Sequence, residues 1–251
     1  MSELRVWVTV PTYNELDNIE VLVERIRGSL PGVHILVVDD NSPDGTAEKA
    51  EALGAELGSI EVLRRPRKMG LGSAYRAGHA IGIARGYDVL VQIDADLSHD
   101  PADLPRLVDA VDRGADLAIG SRYVPGGQVP NWPKHRLALS YWGNRYAAAC
   151  LGIDVRDSTA GYRAYRATIL EAMDFDTTHS TGYGFQIEMT YRVLNAGGTI
   201  EEVPIAFTDR VRGTSKMSWR IIAEAMLAVS WWGLRDRVLY RGQRHSSRRT
   251  Q

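Results

Sequence analysis

Two aspartates one residue apart, Asp94 and Asp96, follow the largely apolar run Val89-Leu90-Val91-Gln92-Ile93. In extended backbone, residues i and i+2 project to the same side. Two carboxylates of one orientation suit Mg²⁺ or Mn²⁺, hard cations that take oxygen ligands and complete their shells with water and substrate phosphates. A D-x-D pair taken alone reads more readily as a solvated loop capping the next helix; the apolar run ahead of it reverses that and favours the metal. Further polar clusters close two other apolar runs: Pro11-Thr12-Tyr13-Asn14-Glu15 and Asp39-Asp40-Asn41-Ser42-Pro43-Asp44-Gly45-Thr46. Cations able to meet phosphate come from separated segments, namely Arg67, Lys68, Arg122, Arg136, Arg210 and Lys216. Singly, each reads as a solvated surface charge. Arg122 stands out because it follows an apolar run directly, in Gly120-Ser121-Arg122-Tyr123. Arg136, Ser140 and Asn144 recur every four residues, a polar stripe along one helix face. Leu137, Leu139, Tyr141 and Trp142 surround that stripe with apolar surface. A guanidinium and a hydroxyl beside apolar surface are what a lipid phosphate requires.

The elements that must carry these groups follow from periodicity. Short Val- and Ile-rich runs at 6–10, 35–38, 60–63, 89–93 and 117–119 read as buried strands. Helical stretches at 16–30, 46–57, 72–85 and 104–111 alternate with them, the second entered through Ser42, Asp44 or Thr46 as a capping residue. This alternation predicts an α/β fold with a mostly parallel sheet flanked by helices, which binds ligands at the carboxyl ends of its strands. Beyond Gly120 the rhythm breaks. A Pro/Gly-rich loop at 124–133 precedes a helix over 135–151, an irregular stretch at 157–166, a helix over 185–195, a strand over 200–207 and a last helix from Ser215. The reading is one domain over 1–234, with a nucleotide-sugar-binding half to residue 120, an acceptor-binding half from 121, and a flexible basic tail at 235–251.

Composition narrows the class. At 251 residues, with 44% hydrophobic and 24% charged, the chain buries a sizeable core and is not disordered. The single cysteine, Cys150, excludes an internal disulfide and a cysteine-rich zinc cluster, and no cleavable signal heads the sequence, so a cytoplasmic setting is expected. A net charge of −1 offers no global field for nucleic acid. From Arg235 onward six arginines face one aspartate, giving the tail +5 and leaving −6 on the rest of the chain. The apolar run ahead of the tail, 225–234, is about ten residues long. A spanning helix needs roughly 20. A dinucleotide enzyme is disfavoured because no G-x-G-x-x-G follows the first strand; Gly70-Leu71-Gly72-Ser73-Ala74-Tyr75 lacks the third glycine.

The ordered set Val10-Pro11-Thr12-Tyr13-Asn14-Glu15, Val38-Asp39-Asp40-Asn41-Ser42-Pro43-Asp44-Gly45-Thr46, Asp94-Ala95-Asp96-Leu97-Ser98-His99, Gly120-Ser121-Arg122-Tyr123, Asn131-Trp132-Pro133 and Arg210-Val211-Arg212-Gly213-Thr214-Ser215-Lys216 resembles the dolichol- or polyprenol-phosphate mannose synthases. These are inverting family 2 glycosyltransferases of GT-A fold, and the similarity runs from Arg5 to Lys216. It implies that Pro11, Tyr13, Glu15 and Asp40 hold the guanosine of GDP-mannose with Asp39 close by, and that Asp94 and Asp96 hold the metal. Where some relatives have a metal-holding glutamine this chain has Ser98, a weaker ligand. Arg122, Arg136 and Ser140 match positions that grip the acceptor phosphate; Arg210 and Lys216 match a mobile segment closing over the donor. No spanning helices follow that segment, which resembles the soluble catalytic subunits that act on the cytoplasmic face of a membrane with a separate integral-membrane partner.

The implied reaction is consistent with these residue types. A lipid monophosphate is already an anion and attacks the anomeric carbon without a general base. The metal serves as Lewis acid on the departing GDP, and cations neutralise phosphate charge on both sides. His79 and His99 accordingly read as helix and loop residues rather than bases. Three rivals stay open. A UDP-glucose-dependent relative would keep nearly all the motifs. A processive polysaccharide synthase would carry Q-x-x-R-W and spanning helices, neither present here. A catalytically silent sugar-nucleotide-binding subunit would lose the carboxylates.

Overall fold

The computed structural model describes residues 4–178, 180, 182–209, 226–227 and 229–235. The chain begins with β1 (Val6–Thr12), α1 (Leu16–Ser29), β2 (His34–Asp39), α2 (Thr46–Leu57) and β3 (Ile60–Arg64). It continues through α3 (Leu71–Ala84), β4 (Val89–Gln92), α4 (Leu104–Asp112) and β5 (Leu117–Ser121). The second half holds α5 (Lys134–Leu151), β6 (Arg163–Arg166), α6 (Ala167–Ala172), α7 (Gly182–Asn195) and β7 (Ile200–Pro204). Among the described residues the strands form one seven-stranded sheet in the order β3-β2-β1-β4-β6-β5-β7. Neighbours pair in parallel except β6, which runs antiparallel to both β4 and β5.

Alternation along β1 shows how two cores arise. Val6, Val8 and Val10 face α1 and α4, joining Ile19, Leu22, Ile26, Leu104 and Leu107. Trp7 points the other way and joins Leu36, Val38, Leu90 and the α3 and α7 side chains. Burial on both faces is why these strands read as continuous apolar runs. Helix α3 lies unusually close to the sheet: a Cβ on Gly78 would collide with Thr9, and one on Gly82 with Leu90 and the Trp7 ring.

Two differences from the sequence reading, at β6 and at the start of α2, have physical causes. The stretch at 157–166 ends in β6, which the apolar pattern hid because its first residue is Arg163. That guanidinium is fully buried and donates to the carbonyls of Ala160 (2.7 Å), Ser158 (2.6 Å) and Gln186 (3.0 Å), so hydrogen bonds replace hydration. The short α6 that follows was likewise not foreseen. At the start of α2 the cap position belongs to Gly45, at φ 91°, while Asp44 accepts from the Thr46 backbone N–H at 3.0 Å. The last helix falls largely outside the described residues, of which 226–227 and 229–235 are helical; the basic tail from 236 lies outside them.

His79, on α3 against Tyr75, Tyr165 and Phe175, is fully buried. Burial lowers its pKa from 6.5 to about 4. Because the folded pKa is depressed, His79 contributes stability that is complete above pH 6.5 and is lost as pH falls towards 4. The loss amounts to about 3 kcal/mol in all, at 1.36 kcal/mol per pH unit. Urea unfolding of wild type and His79→Gln at pH 6.5 and pH 4.5 is expected to show the steeper acid loss in wild type. Equal losses would show that His79 does not set the acid limit.

Candidate active site

The strand order reverses direction between β1 and β4: the chain passes from β1 outward to β2 and β3, then returns to lay β4 on the other side of β1. Ligands of open α/β sheets bind at such a switch point, beyond the carboxyl ends of the strands. The segments that leave β1 and β4 here are Tyr13-Asn14-Glu15 and Ile93-Asp94-Ala95-Asp96.

On the β1–β2 side the loops are tied to one another. Asp39 is buried and accepts from Thr12 Oγ1 at 2.8 Å, from the Ser42 backbone N–H at 2.8 Å and from Ser42 Oγ at 2.6 Å. Asp40 is buried, ion-paired with Arg65, and accepts from the backbone N–H groups of Met69 (3.1 Å) and Gly70 (3.2 Å). The two carboxylates therefore fasten the β2–α2 turn and the segment entering α3. Asp44, which sequence reasoning did not single out as a site residue, also accepts from the Leu16 backbone N–H at 3.2 Å. Its pKa is lowered: the hydrogen bonds from Thr46 and Leu16 outweigh a burial effect that alone would raise it. Pro11 and Tyr13 are half-buried, and the Lys68 ammonium lies 4.2 Å from the Tyr13 ring centre. Glu15, half-buried, accepts from Asn18 Nδ2 at 2.9 Å.

The Asp94/Asp96 pair sits just past β4, with Ala95 and Asp96 in a turn. Asp94 is half-buried and accepts from Tyr75 Oη at 2.7 Å. Asp96 is buried and accepts from the Ser98 backbone N–H at 3.1 Å. Between them and Ser98, Leu97 has φ +60°, a left-handed conformation uncommon for leucine. Both carboxylates act on the same neighbours. Burial first, then Asp94, raises the Tyr75 pKa well above the usual phenol value. Burial lowers that of His99, against the pull of Asp94 and Asp96. Among the described residues no group of three or more His, Cys, Asp or Glu is arranged to hold a metal. A two-carboxylate donor set fits Mg²⁺ or Mn²⁺ on a diphosphate, since such ions use one or two protein carboxylates plus phosphate and water. The Ser98 hydroxyl is buried without a hydrogen-bond partner among the described residues, and its backbone N–H supports Asp96.

Arg122, Arg136 and Ser140 line one groove of about 670 Å³, together with Trp132, Leu139, Trp142, Tyr146, Ile187, Met226 and Val229. Arg122 is buried at the end of β5. Its Nε and Nη2 donate to Asp157 Oδ2 and Oδ1, each at 2.7 Å, and Nη2 also donates to Thr159 Oγ1 at 2.9 Å. Asp157 is completely buried; burial alone would raise its pKa, but the Arg122 charge and hydrogen bonds hold it below the usual value. Asn144, the third member of the α5 stripe, is buried and joins the same network at Asp157 (3.4 Å) and Thr159 (3.0 Å). Arg136 is paired with Asp209 at 2.7 Å and stacks over Trp132 at 3.9 Å. Arg210 and Lys216 lie outside the described residues. Sequence reasoning missed Tyr75 and Asp157. Neither carries a local signal, since the first looks like a core aromatic and the second is separated from Arg122 by 35 residues.

The acidic pair beyond β4 and the cation-headed apolar groove sit on the fold of a glycosyltransferase. Residues 7–174 match the profile of glycosyl transferase family 2, and the chain belongs to that family. It is 54% identical over 235 residues to the polyprenol monophosphomannose synthase of Mycolicibacterium smegmatis, covering 93% of this chain and 89% of that one. It is 51% identical over 234 residues to the undecaprenyl-phosphate mannosyltransferase of Micrococcus luteus, covering 93% and 96%. In fold it is similar to glucosyl-3-phosphoglycerate synthase from Mycobacterium tuberculosis, solved with Mg²⁺ and UDP. That likeness has a TM-score of 0.64 at 20% identity and covers 91% of this chain and 80% of that one.

Proposed function

We propose that the protein transfers mannose from GDP-mannose to a polyprenyl monophosphate, giving polyprenyl-phosphate β-mannose and GDP. The observation that carries this reading is the groove. Arg122, Arg136 and Ser140 gather beside walls that are almost wholly apolar, a combination suited to an anionic head on a hydrocarbon chain. The names of the relatives, polyprenol monophosphomannose synthase and undecaprenyl-phosphate mannosyltransferase, support the same acceptor class and sugar.

In this reading a phosphate oxygen of the lipid attacks the mannose anomeric carbon from the side opposite the diphosphate. The carbon–oxygen bond to GDP breaks and its electron pair leaves with the diphosphate, so configuration inverts. Arg122 and Arg136 orient the attacking phosphate and balance its charge. Asp39 and Asp40 fasten the loops that present Pro11, Tyr13 and Glu15 to the guanosine, and Arg210 and Lys216 close over the donor. Asp94 and Asp96 would hold Mg²⁺ or Mn²⁺, which supplies Lewis-acid stabilisation of the departing diphosphate. Residues to 120 serve the nucleotide sugar, residues 121–234 the acceptor, and 235–251 form a basic appendage. Incubation with radiolabelled GDP-mannose, UDP-glucose and other nucleotide sugars plus a short polyprenyl phosphate tests the reading. Organic extraction is expected to recover label from GDP-mannose alone; label from UDP-glucose instead would reassign the donor.

No helix among the described residues is long and apolar enough to cross a membrane. The acceptor is nevertheless a lipid, so the protein works peripherally on the cytoplasmic face of a membrane, alongside an integral-membrane partner. Trp142, Leu227, Trp231 and Leu234 are more than half exposed, and tryptophan favours the headgroup interface. Each tail arginine near an anionic leaflet adds on the order of 1 kcal/mol, screened by salt. Deleting residues 235–251 is expected to reduce salt-sensitive sedimentation with anionic vesicles while sparing GDP-mannose binding. Equal sedimentation of both chains would remove the tail as an anchor.

A further inference from the structure

We infer that Tyr75 is a positioning residue for the metal-holding carboxylate Asp94, fixing which of its oxygens faces the ion. The inference rests on the donor reading above, in which Asp94 and Asp96 hold a divalent cation. Tyr75 Oη donates to Asp94 Oδ1 at 2.7 Å across 19 residues of sequence, from the body of α3 to the end of β4. The phenol is fully buried. Its ring lies in a row between His79, at 6.1 Å and 18°, and Phe185, at 6.4 Å and 11°, so the hydroxyl has one direction to point.

The backbone of α3 is drawn onto the sheet and its neighbour at glycines. A Cβ on Gly72 would meet the Phe185 ring at 2.9 Å, and one on Gly78 would collide with Thr9. Tyr75 sits between those two positions, which sets its distance from β4.

The second oxygen of Asp94 faces a different element. A Cβ built on Gly161 would lie 3.4 Å from Asp94 Oδ2. One oxygen is therefore held by a rigid donor. A carboxylate gripped at Oδ1 loses the rotation that would exchange its two oxygens and presents Oδ2 to the cation. Groups that hold a metal ligand by hydrogen bonding typically change metal affinity by 10- to 100-fold when removed.

The test uses the full chain and reads free Mn²⁺ by electron paramagnetic resonance during titration in the presence of GDP. Tyr75→Phe keeps the ring and its stacking while deleting the hydroxyl. This variant is expected to weaken Mn²⁺ binding by about 10- to 100-fold, with metal-free GDP affinity and thermal unfolding close to wild type. The activity of Tyr75→Phe should then recover at high Mn²⁺, raising the half-saturating metal concentration more than it lowers kcat; a purely structural role would not produce that split. Mn²⁺ binding by Tyr75→Phe as tight as wild type overturns the role of Tyr75. If wild type with GDP binds no Mn²⁺, the metal reading itself fails and the inference falls with it.

Discussion

Asp96→Ala is expected to abolish mannosyl transfer, with a loss of at least about a thousandfold, because Lewis-acid stabilisation of a departing diphosphate is worth several kcal/mol. The fold should survive. Asp96 lies beyond the end of β4, and the strand itself is held by Leu90 in one core and Val89 and Val91 in the other. The hydrogen bond from the Ser98 N–H is lost, a local cost of about 1 kcal/mol. Asp96→Asn separates the two roles. The amide oxygen can still accept from Ser98 and restrain Leu97 at its positive φ, but the charge that would attract the proposed ion is gone. Asn and Ala variants equally inactive, both with near-native melting, would locate the effect in the charge. Full activity of either, or undiminished wild-type activity in excess EDTA, would remove the metal from the mechanism.

What was legible in the sequence divides at about residue 120. The parallel strands β1, β2 and β4 are buried on both faces, so their Val/Ile runs announce them, and the polar clusters that follow mark the site edge without three-dimensional information. Later elements give no such signal. Strand β6 opens with a buried arginine whose charge is satisfied by carbonyls contributed from 158, 160 and 186; no periodicity scale reads that as strand. The candidate site shows the same division. Arg136 and Ser140 were visible as a stripe on α5 because helical spacing is local. The partners that make Arg122 more than a surface charge come from 157 and 159, which Asn144 holds in turn, and only the fold brings them together. The D-x-D pair was visible, but the groups that hold it were not: Tyr75 donates to Asp94, and the Ser98 backbone N–H to Asp96.

The two groove arginines are expected to fail differently when removed, because their surroundings differ. Arg136 is partly exposed and paired with the exposed Asp209. Pairs of that kind contribute at most about 1 kcal/mol to stability, so Arg136→Ala should melt nearly as wild type. Its loss should fall on the acceptor: a charge-assisted bond to phosphate is worth roughly 1.5–3 kcal/mol, so the lipid-phosphate KM should rise about 10- to 100-fold with GDP-mannose binding little changed. Asp209→Asn, which frees Arg136 from its carboxylate, should move that KM the other way. Arg122 instead faces a fully buried Asp157 through two 2.7 Å hydrogen bonds. Arg122→Ala leaves a buried carboxylate uncompensated, and such losses cost about 3–5 kcal/mol. That is a large share of the roughly 5–15 kcal/mol that holds a typical protein folded. The paired substitution Arg122→Ala with Asp157→Asn removes the stranded charge and should regain part of the stability in urea, yet remain as poor with lipid phosphate as any variant lacking the guanidinium. Recovery of both stability and transfer in the double variant would mean that Arg122 only neutralises Asp157, leaving the acceptor phosphate to Arg136 and Ser140.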